Sequence, residues 1–428
     1  MSSALPKCRV VTGALVLALC LLMLSGAASS AQADCGPGAF VSRQVIVKLN
    51  PILGATVQQI NATYRSTTLE TFPGSTDVYL LGLPAGSGVR EAVSQMSDDS
   101  RLLYAEPNSF VQPPEGDARH RAWGVSKVAS TSQDSQEYAA QALGLVSAHA
   151  ISRGEGTKVA VLDTGAQLDH PTLEANFEGA GRYDFVEGDR NPSDRRVGRD
   201  ADCDGDEDEM VGHGTHVAGI VDIAAPAAKI MPLRVLDTEG YGDVFTIAKA
   251  VSFAAGNGAD VINLSLGSPS RSKLLQETIK DASANGILVA AAAGNSNSSV
   301  AHYPAAGNGV AAFADGLVAV SSVNMYAQKS NFANYGSWVN VAAPGQDIRS
   351  AFPGSRYAYW SGTSMATPFV SGQAALIHAA YGSLDSAGVE ERIRCSARPL
   401  FATEPFYAAM LGAGHADVGA SLAPGACS

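Results

Sequence analysis

The chain has 428 residues, of which 46% are apolar and 16% charged. That is enough apolar content for a large buried core and excludes a disordered chain. The formal net charge of −12 argues against a nucleic-acid binder, which usually carries a basic excess. The 44 Gly and 20 Pro recur without a period, so a fibrous repeat is excluded as well.

The chain opens with a targeting pattern. Lys7 and Arg9 precede an apolar run from Val10 to Leu24, and Ala31-Gln32-Ala33 forms a small-residue cleavage site. The run is shorter than the roughly 20 residues a membrane-spanning helix needs. Residues 1–33 are therefore read as a cleaved secretory signal, which places the protein outside the cell or in a periplasm. No later segment is long and apolar enough to span, so no membrane partner is expected after cleavage. Cys35 makes a poor lipid-attachment site, because Asp34 stands where a small residue is expected.

Cys8 and Cys20 leave with the signal, and Cys35, Cys203, Cys395 and Cys427 remain. In an oxidising compartment four cysteines allow three pairings. Cys395–Cys427 is favoured because both lie near the C-terminus, and the spacings match no zinc-site pattern. Loss of an N-terminal segment carrying Cys35 would leave an odd number. Either one thiol then stays free or a Cys35–Cys203 bridge tethers that segment.

Residues 34–111 hold a small α+β unit. Strands are expected at Val45–Leu49, Val78–Leu81 and Leu102–Ala105, with helices at Val57–Arg65 and Val89–Met96 between them. Residues 112–137 carry Pro113, Pro114, Gly116 and a Ser/Thr/Gln cluster, and read as an exposed linker. Over 138–428 the pattern changes. The runs Val159–Leu162, Ile230–Leu236, Val261–Leu264, Ile287–Ala291 and Leu317–Val320 are continuously apolar, as expected of buried parallel strands. Helices are expected between them at Phe245–Ala255 and at Ser272–Ala284, the second stopped by Asn285-Gly286. The prediction is an α/β, doubly wound, mainly parallel sheet preceded by a small α+β domain.

Three motifs in the large domain carry chemistry. Asp163-Thr164-Gly165 follows a buried strand. Gly212-His213-Gly214-Thr215-His216-Val217-Ala218-Gly219 and Gly362-Thr363-Ser364-Met365-Ala366-Thr367-Pro368 come later. Each has a bland reading alone: a capping carboxylate, a core histidine, a helix N-cap. Together they supply the parts of nucleophilic catalysis. A serine hydroxyl is a weak nucleophile near neutral pH, so an imidazole must take its proton and a buried carboxylate must hold that imidazole's tautomer. An Asp at the C-terminal end of a parallel strand sits where open α/β sheets place their sites. Ser364 would sit near the N–H groups of a helix start, which favour negative charge. Pro368 is expected early in that helix, where its missing N–H costs little. Ala291-Ala292-Ala293-Gly294-Asn295 ends another apolar run, and Asn295 is placed to donate to a developing oxyanion.

With these motifs in this order, the chain resembles the subtilisin-like serine peptidases, or subtilases, over about residues 138–424. The 41–111 unit is similar to the inhibitor-like propeptide of that family. The resemblance implies a secreted, self-processing zymogen that hydrolyses peptide bonds through an acyl-enzyme, with cleavage within about 111–140. It implies that Asp163 orients the base, His213 is the base, and Ser364 is the nucleophile. Asn295 and the Ser364 N–H would form the oxyanion hole, and His216 would be structural. Ser265-Leu266-Gly267 and Ala292-Ala293-Gly294 would flank the primary specificity pocket and pair with extended substrate. Aligning Tyr303-Pro304 places His302 near that pocket's base. Met365, beside the nucleophile, would be open to oxidation. Expected partners are protein or peptide substrates and the chain's own propeptide, acting as an intramolecular inhibitor on a monomer.

No cofactor is expected for the chemistry. A calcium site common in the family would need an acidic residue at Thr172 and an insertion after the His motif. Both are missing, so that site is expected to be absent. A different structural calcium candidate is the acidic loop 200–209, with Asp200, Asp202, Asp204, Asp206 and Asp208 as ligands. The match to a calcium loop is partial, because Val211 stands where a bidentate Glu is expected. The alternative is a solvated loop balanced by Arg190, Arg195, Arg196 and Arg199. Two other functional classes compete with the leading one. Asp-Thr-Gly is also the aspartic-peptidase motif, but that enzyme needs two copies or a symmetric dimer, and only one copy occurs. A catalytically silent scaffold would be expected to lose a triad member, and none is lost.

Overall fold

A computed structural model describes residues 39–115, 123–126, 134–201, 205–307 and 316–427. The signal segment, Cys35, Cys203, Asp202 and Asp204 lie outside the described residues.

The N-terminal unit runs β1 (Phe40–Leu49), α1 (Val57–Tyr64), β2 (Thr67–Thr71), β3 (Val78–Gly82), α2 (Val89–Ser97) and β4 (Leu102–Val111). All the predicted elements are present. The strand Thr67–Thr71 was not foreseen, because its Thr-Thr-Leu-Glu-Thr pattern is almost wholly exposed. Helix α1 starts on a capping box in which Thr56 accepts from the Gln59 N–H and Gln59 accepts from the Thr56 N–H. The sheet is antiparallel, in the order β2-β3-β1-β4, and alternation divides its side chains between two cores. Val45, Val47 and Leu81 face Val57 and Ile60 of α1 and Val89 and Met96 of α2. Ile46, Leu80 and Tyr104 face the other way, into the core of the large domain.

The large domain follows with β5 (Trp123–Ser126), α3 (Asp134–Leu143), α4 (Leu145–His149), β6 (Lys158–Asp163), β7 (Tyr183–Asp184), α5 (His213–Ala224) and β8 (Lys229–Arg234). It continues through β9 (Gly242–Asp243), α6 (Val244–Gly256), β10 (Val261–Leu264), α7 (Lys273–Ala284), β11 (Leu288–Ala292), β12 (Leu317–Val323) and β13 (Val341–Pro344). It ends with β14 (Ile348–Phe352), β15 (Arg356–Trp360), α8 (Thr363–Ala380), α9 (Ser386–Ser396) and α10 (Val418–Leu422). Seven parallel strands form one sheet in the order β13-β12-β11-β10-β6-β8-β7. Both faces are covered, as the apolar runs required. Val159, Val161, Leu288 and Ala290 pack with α5 and α8 on one face. Ala160, Leu162, Val289 and Ala291 pack with α6 and α7 on the other.

The two regions share this second core. Phe72 meets Phe245 edge to face at 5.6 Å, and Lys48 pairs with Glu277 at 2.9 Å. Strand β4 also pairs with β9 of the large domain. The buried carboxylate of Glu106 accepts from Ser272 Oγ at 2.6 Å, Lys273 N at 2.7 Å and Leu274 N at 3.1 Å, so it caps the start of α7. Asn108 Oδ1 accepts from Phe245 N at 3.1 Å, at the start of α6. Near the C-terminus Cys395 and Cys427, with Cα atoms 5.5 Å apart, form a disulfide.

The structure corrects two expectations. The stretch after residue 111 is not an exposed linker at its start: Gln112 bridges to Gly267, and Pro113 and Glu115 are buried. Trp123–Ser126 further forms a strand on β15. Composition misleads here because the polar groups are matched by partners far away in sequence. Pro368 is the sixth residue of α8, not part of its first turn. Its ring leaves the Ser364 carbonyl without the usual helical donor, and Ser265 Oγ donates to that oxygen at 2.9 Å instead.

Candidate active site

Asp163 ends β6, near the middle of the parallel sheet, and is fully buried. Its Oδ1 accepts from Thr164 N at 2.8 Å and from His213 Nδ1 at 2.7 Å, while Oδ2 has no partner among the described residues. His213 opens α5. The preceding Gly212 holds φ +102°, and a Cβ there would collide with the Phe352 ring. Trp360 packs edge-on against the imidazole at 5.2 Å. Asp194 fixes the start of the helix: its carboxylate accepts from Gly212 N at 2.8 Å, Thr215 N at 3.1 Å and Thr215 Oγ1 at 2.6 Å. Burial pushes the Asp194 carboxyl up to about 6 despite those bonds.

Ser364 is the second residue of α8, and Asn295 follows β11 by three positions. Asn295 Oδ1 accepts from Thr363 N at 2.9 Å and from Thr363 Oγ1 at 3.0 Å. Those two bonds assign the amide, leaving Nδ2 as the donor of the side chain. Asp163, His213, Asn295 and Ser364 thus converge in one buried cluster. His216 lies beside it but turns away: its Nε2 reaches the Ile348 and Ala358 carbonyls at 3.0 and 3.1 Å, and burial lowers its pKa to about 3.

Ser364 and His213 are joined through a third group that sequence reasoning missed. The Glu115 side chain reaches into the cluster. Its Oε2 accepts from Ser364 Oγ at 2.6 Å and faces His213 Nε2 at 3.3 Å, and its Oε1 accepts from Asn295 Nδ2 at 2.8 Å. Ser364 Oγ also lies 3.3 Å from the Ser265 carbonyl. A Cβ at Gly362 would collide with Glu115 Oε1, so that glycine makes room for the carboxylate. Burial alone would push His213 down, but the Asp163 and Glu115 carboxylates push it up to about 10. Burial likewise opposes a charged Glu115, yet the bonds from His213, Ser364 and Asn295 hold it below the usual carboxylate range. Both shifts favour an imidazolium at His213 facing a carboxylate at Glu115. No local motif marks Glu115; the only signal was an acidic residue after two prolines.

The two predicted walls flank this cluster. Gly267 exchanges both backbone hydrogen bonds with Gln112, at 2.8 and 3.0 Å, so the segment leading to Glu115 is held to the Ser265-Leu266-Gly267 segment by one antiparallel bridge. Ala292 ends β11, Ala293 O accepts from Asn334 Nδ2, and Gly294 N donates to Thr363 Oγ1. A pocket of about 400 Å³ is lined by both Gly267 and His302.

The acidic loop is less complete. Asp202 and Asp204 are outside the described residues. Asp208 accepts from the backbone N–H groups of Val197, Gly198 and Arg199, so its carboxylate already staples the loop. Asp200 Oδ2 accepts from Gly205 N at 3.2 Å. Among the described residues no group of three His, Cys, Asp or Glu side chains is placed to hold a metal ion. Thr172 Oγ1 bonds His170 Nδ1 at 2.9 Å.

A parallel sheet wound on both faces, with Asp, His, Asn and Ser converging beside the end of its central strand, is the frame of a subtilisin-type serine endopeptidase. Residues 154–414 match the subtilase family and residues 26–108 match the fervidolysin N-terminal prodomain. The chain belongs to the subtilase family. It is 34% identical over 358 residues to the thermophilic serine proteinase of Bacillus sp. (strain AK1), covering 79% of each chain. It is 39% identical over 243 residues to thermitase of Thermoactinomyces vulgaris, covering 57% of this chain and 82% of that one. Among solved structures, fervidolysin from Fervidobacterium pennivorans superposes with a TM-score of 0.71 at 23% identity, over 91% of this chain and 62% of that one. A protease structure from Pseudoalteromonas arctica superposes with a TM-score of 0.60 at 32% identity, over 69% and 99%. Subtilases need no cofactor for peptide hydrolysis.

Proposed function

We propose that the protein is a secreted subtilase zymogen, held latent in its intact form by its own N-terminal domain. In the active form His213 takes the Ser364 proton, Ser364 attacks the substrate carbonyl, and Asp163 holds the imidazole. Asn295 Nδ2 and the Ser364 N–H receive the oxyanion, and an acyl-enzyme is then hydrolysed. Substrate lies where Gln112 now lies, as a strand on Ser265-Leu266-Gly267 with Ala292-Ala293-Gly294 opposite.

The observation that carries the latent reading is the Glu115 carboxylate. It blocks the site in three ways at once: it accepts the nucleophile's hydroxyl, it fills the oxyanion position at Asn295, and it keeps the base protonated. Activation then requires withdrawal of residues 112–115, by cleavage within 112–137 and release of the N-terminal domain. Any calcium on loop 200–209 would act on stability alone.

The test is the intact mass of the secreted protein before and after a fluorophosphonate that labels activated serines. A single adduct on a species lacking about 110–140 residues, and none on the full-length chain, is the expected result. An adduct on the full-length chain would show that the N-terminal domain does not enforce latency. No adduct on any species would overturn the peptidase assignment for this chain.

A further inference from the structure

We propose that His302 sets the primary side-chain preference of this peptidase, and that the preferred residue before the cut bond is acidic, Glu or Asp. Three observations meet at this residue. His302 lines the pocket of about 400 Å³ that opens beside Gly267 and Asn295. Its ring packs between Gly267 and Gly294 at the pocket's edge: a Cβ on Gly267 would collide with Nε2, and one on Gly294 would fall 3.2 Å from Cγ. Its Nε2 is enclosed, yet has no hydrogen-bond partner among the described residues.

A buried imidazole nitrogen without a partner is costly, and the cost is relieved by whatever ligand group reaches it. The lining residues decide which group that is. Among the described residues none that lines the pocket carries a carboxylate, so a Lys or Arg side chain would enter with no counter-charge. A Phe or Leu side chain would bury Nε2 against carbon and leave it unmatched. A Glu or Asp carboxylate supplies an acceptor, and the imidazole supplies a proton. Burial lowers the His302 imidazole to about 4, with the Glu115 charge opposing it only in part, so the ring meets an entering carboxylate as a neutral N–H donor. The family resemblance, through Tyr303-Pro304, placed His302 near the pocket. The orphaned nitrogen and the absence of lining carboxylates give it a chemical role.

The test uses the self-processed protein secreted from the full chain and the substrates succinyl-Ala-Ala-Pro-Xaa-p-nitroanilide, with Xaa Glu, Phe, Leu or Lys. Proline precedes Xaa because Pro113 and Pro114 line the pocket in the docked segment. Rates are expressed per fluorophosphonate-labelled serine, so loss of triad chemistry appears as missing label and not as altered preference. The expected result is a kcat/KM for Glu that exceeds that for Phe by roughly ten- to hundredfold, the worth of one charge-assisted hydrogen bond in a dry pocket. His302→Leu should reverse that ranking, and His302→Gln, which keeps a polar group at the position, should retain part of it. Phe or Leu ranking first in the parent protein would overturn the proposal. So would a Glu-to-Phe ratio that stays the same in both variants.

Discussion

Asp163, His213, Asn295 and Ser364 meet the segment Gln112–Glu115 in one buried cluster, yet the two partners are held by different forces. The four positions sit on strand ends and helix starts, and each is fixed by further buried groups: Thr164, Asp194, Thr363 and the Ser265 hydroxyl. The segment 112–115 has no regular element beyond the end of β4. A pair of backbone bonds to Gly267 and one carboxylate anchor it. A site held by packing survives removal of the blocker, whereas a blocker held by charge and one antiparallel bridge can be withdrawn. The difference lets one chain be both assembled and silent.

Substitutions within the rigid half should give the largest effects. Ser364→Ala should abolish both self-processing and turnover, a loss of about a million-fold by the value known for subtilisin itself. Full-length protein on a denaturing gel is the readout, and processing at the normal rate would defeat the assignment. Asn295→Leu should lower kcat by about a hundred- to a thousandfold, again on subtilisin's own scale. Asn295 also accepts two bonds from Thr363. A thermal melt of the variant therefore distinguishes a lost oxyanion donor from a displaced Ser364.

Glu115→Gln tests the other half, and its signature is pH dependence. His213 is raised to about 10 by Asp163 and Glu115, against the pull of burial. A raised imidazole contributes fully below its unperturbed value near 6.5, and the contribution is lost as pH rises through about 10. Glu115 is lowered, so its contribution is present above the ordinary value of 4.5 and lost only as pH falls through its depressed value. The docked segment is therefore held best in mildly acidic solution and loosens towards pH 10. Activity should appear from purified precursor fastest at the alkaline end. Glu115→Gln should shorten the lag by roughly tenfold or more at pH 6 and flatten the pH profile. An unchanged profile would place latency elsewhere in the N-terminal domain.

The same contrast explains what could be read from the sequence. The parallel strands were legible because each is buried on both faces and therefore continuously apolar. The Asp, His, Asn and Ser positions were legible because tight turns and helix starts demand glycines and small residues around them. Glu115 was illegible: its role depends on β4 delivering it across to Gly267, and two prolines beside polar residues read as a linker. Asp194 escaped for a similar reason, since a lone carboxylate in an acidic, irregular stretch gives no sign that it is buried under a helix start. Thr67–Thr71 was missed because an exposed edge strand lacks an apolar stripe. His302 was placed by the family resemblance at Tyr303-Pro304, but only three-dimensional packing shows that its nitrogen lacks a partner among the described residues.

Glu106 gives the smallest effect and the finest distinction. It belongs to the N-terminal unit, yet it caps α7 of the large domain with three bonds and lies outside the Ser364 cluster. It should therefore act on docking and not on latency chemistry. Glu106→Ala in an unprocessable Ser364→Ala background should cost about 1–2 kcal/mol, the worth of a helix cap, and lower the thermal midpoint by a few degrees. In a Ser364-intact background it should speed release of the N-terminal domain equally at pH 6 and pH 9, because it leaves His213 and Glu115 untouched. Glu115→Gln should instead speed release mainly at the acidic end. If Glu106→Ala reproduced the pH dependence of Glu115→Gln, the two anchors would form one cooperative clamp, and the separation between a packed half and a charge-held half would fail at the 39–111 domain itself.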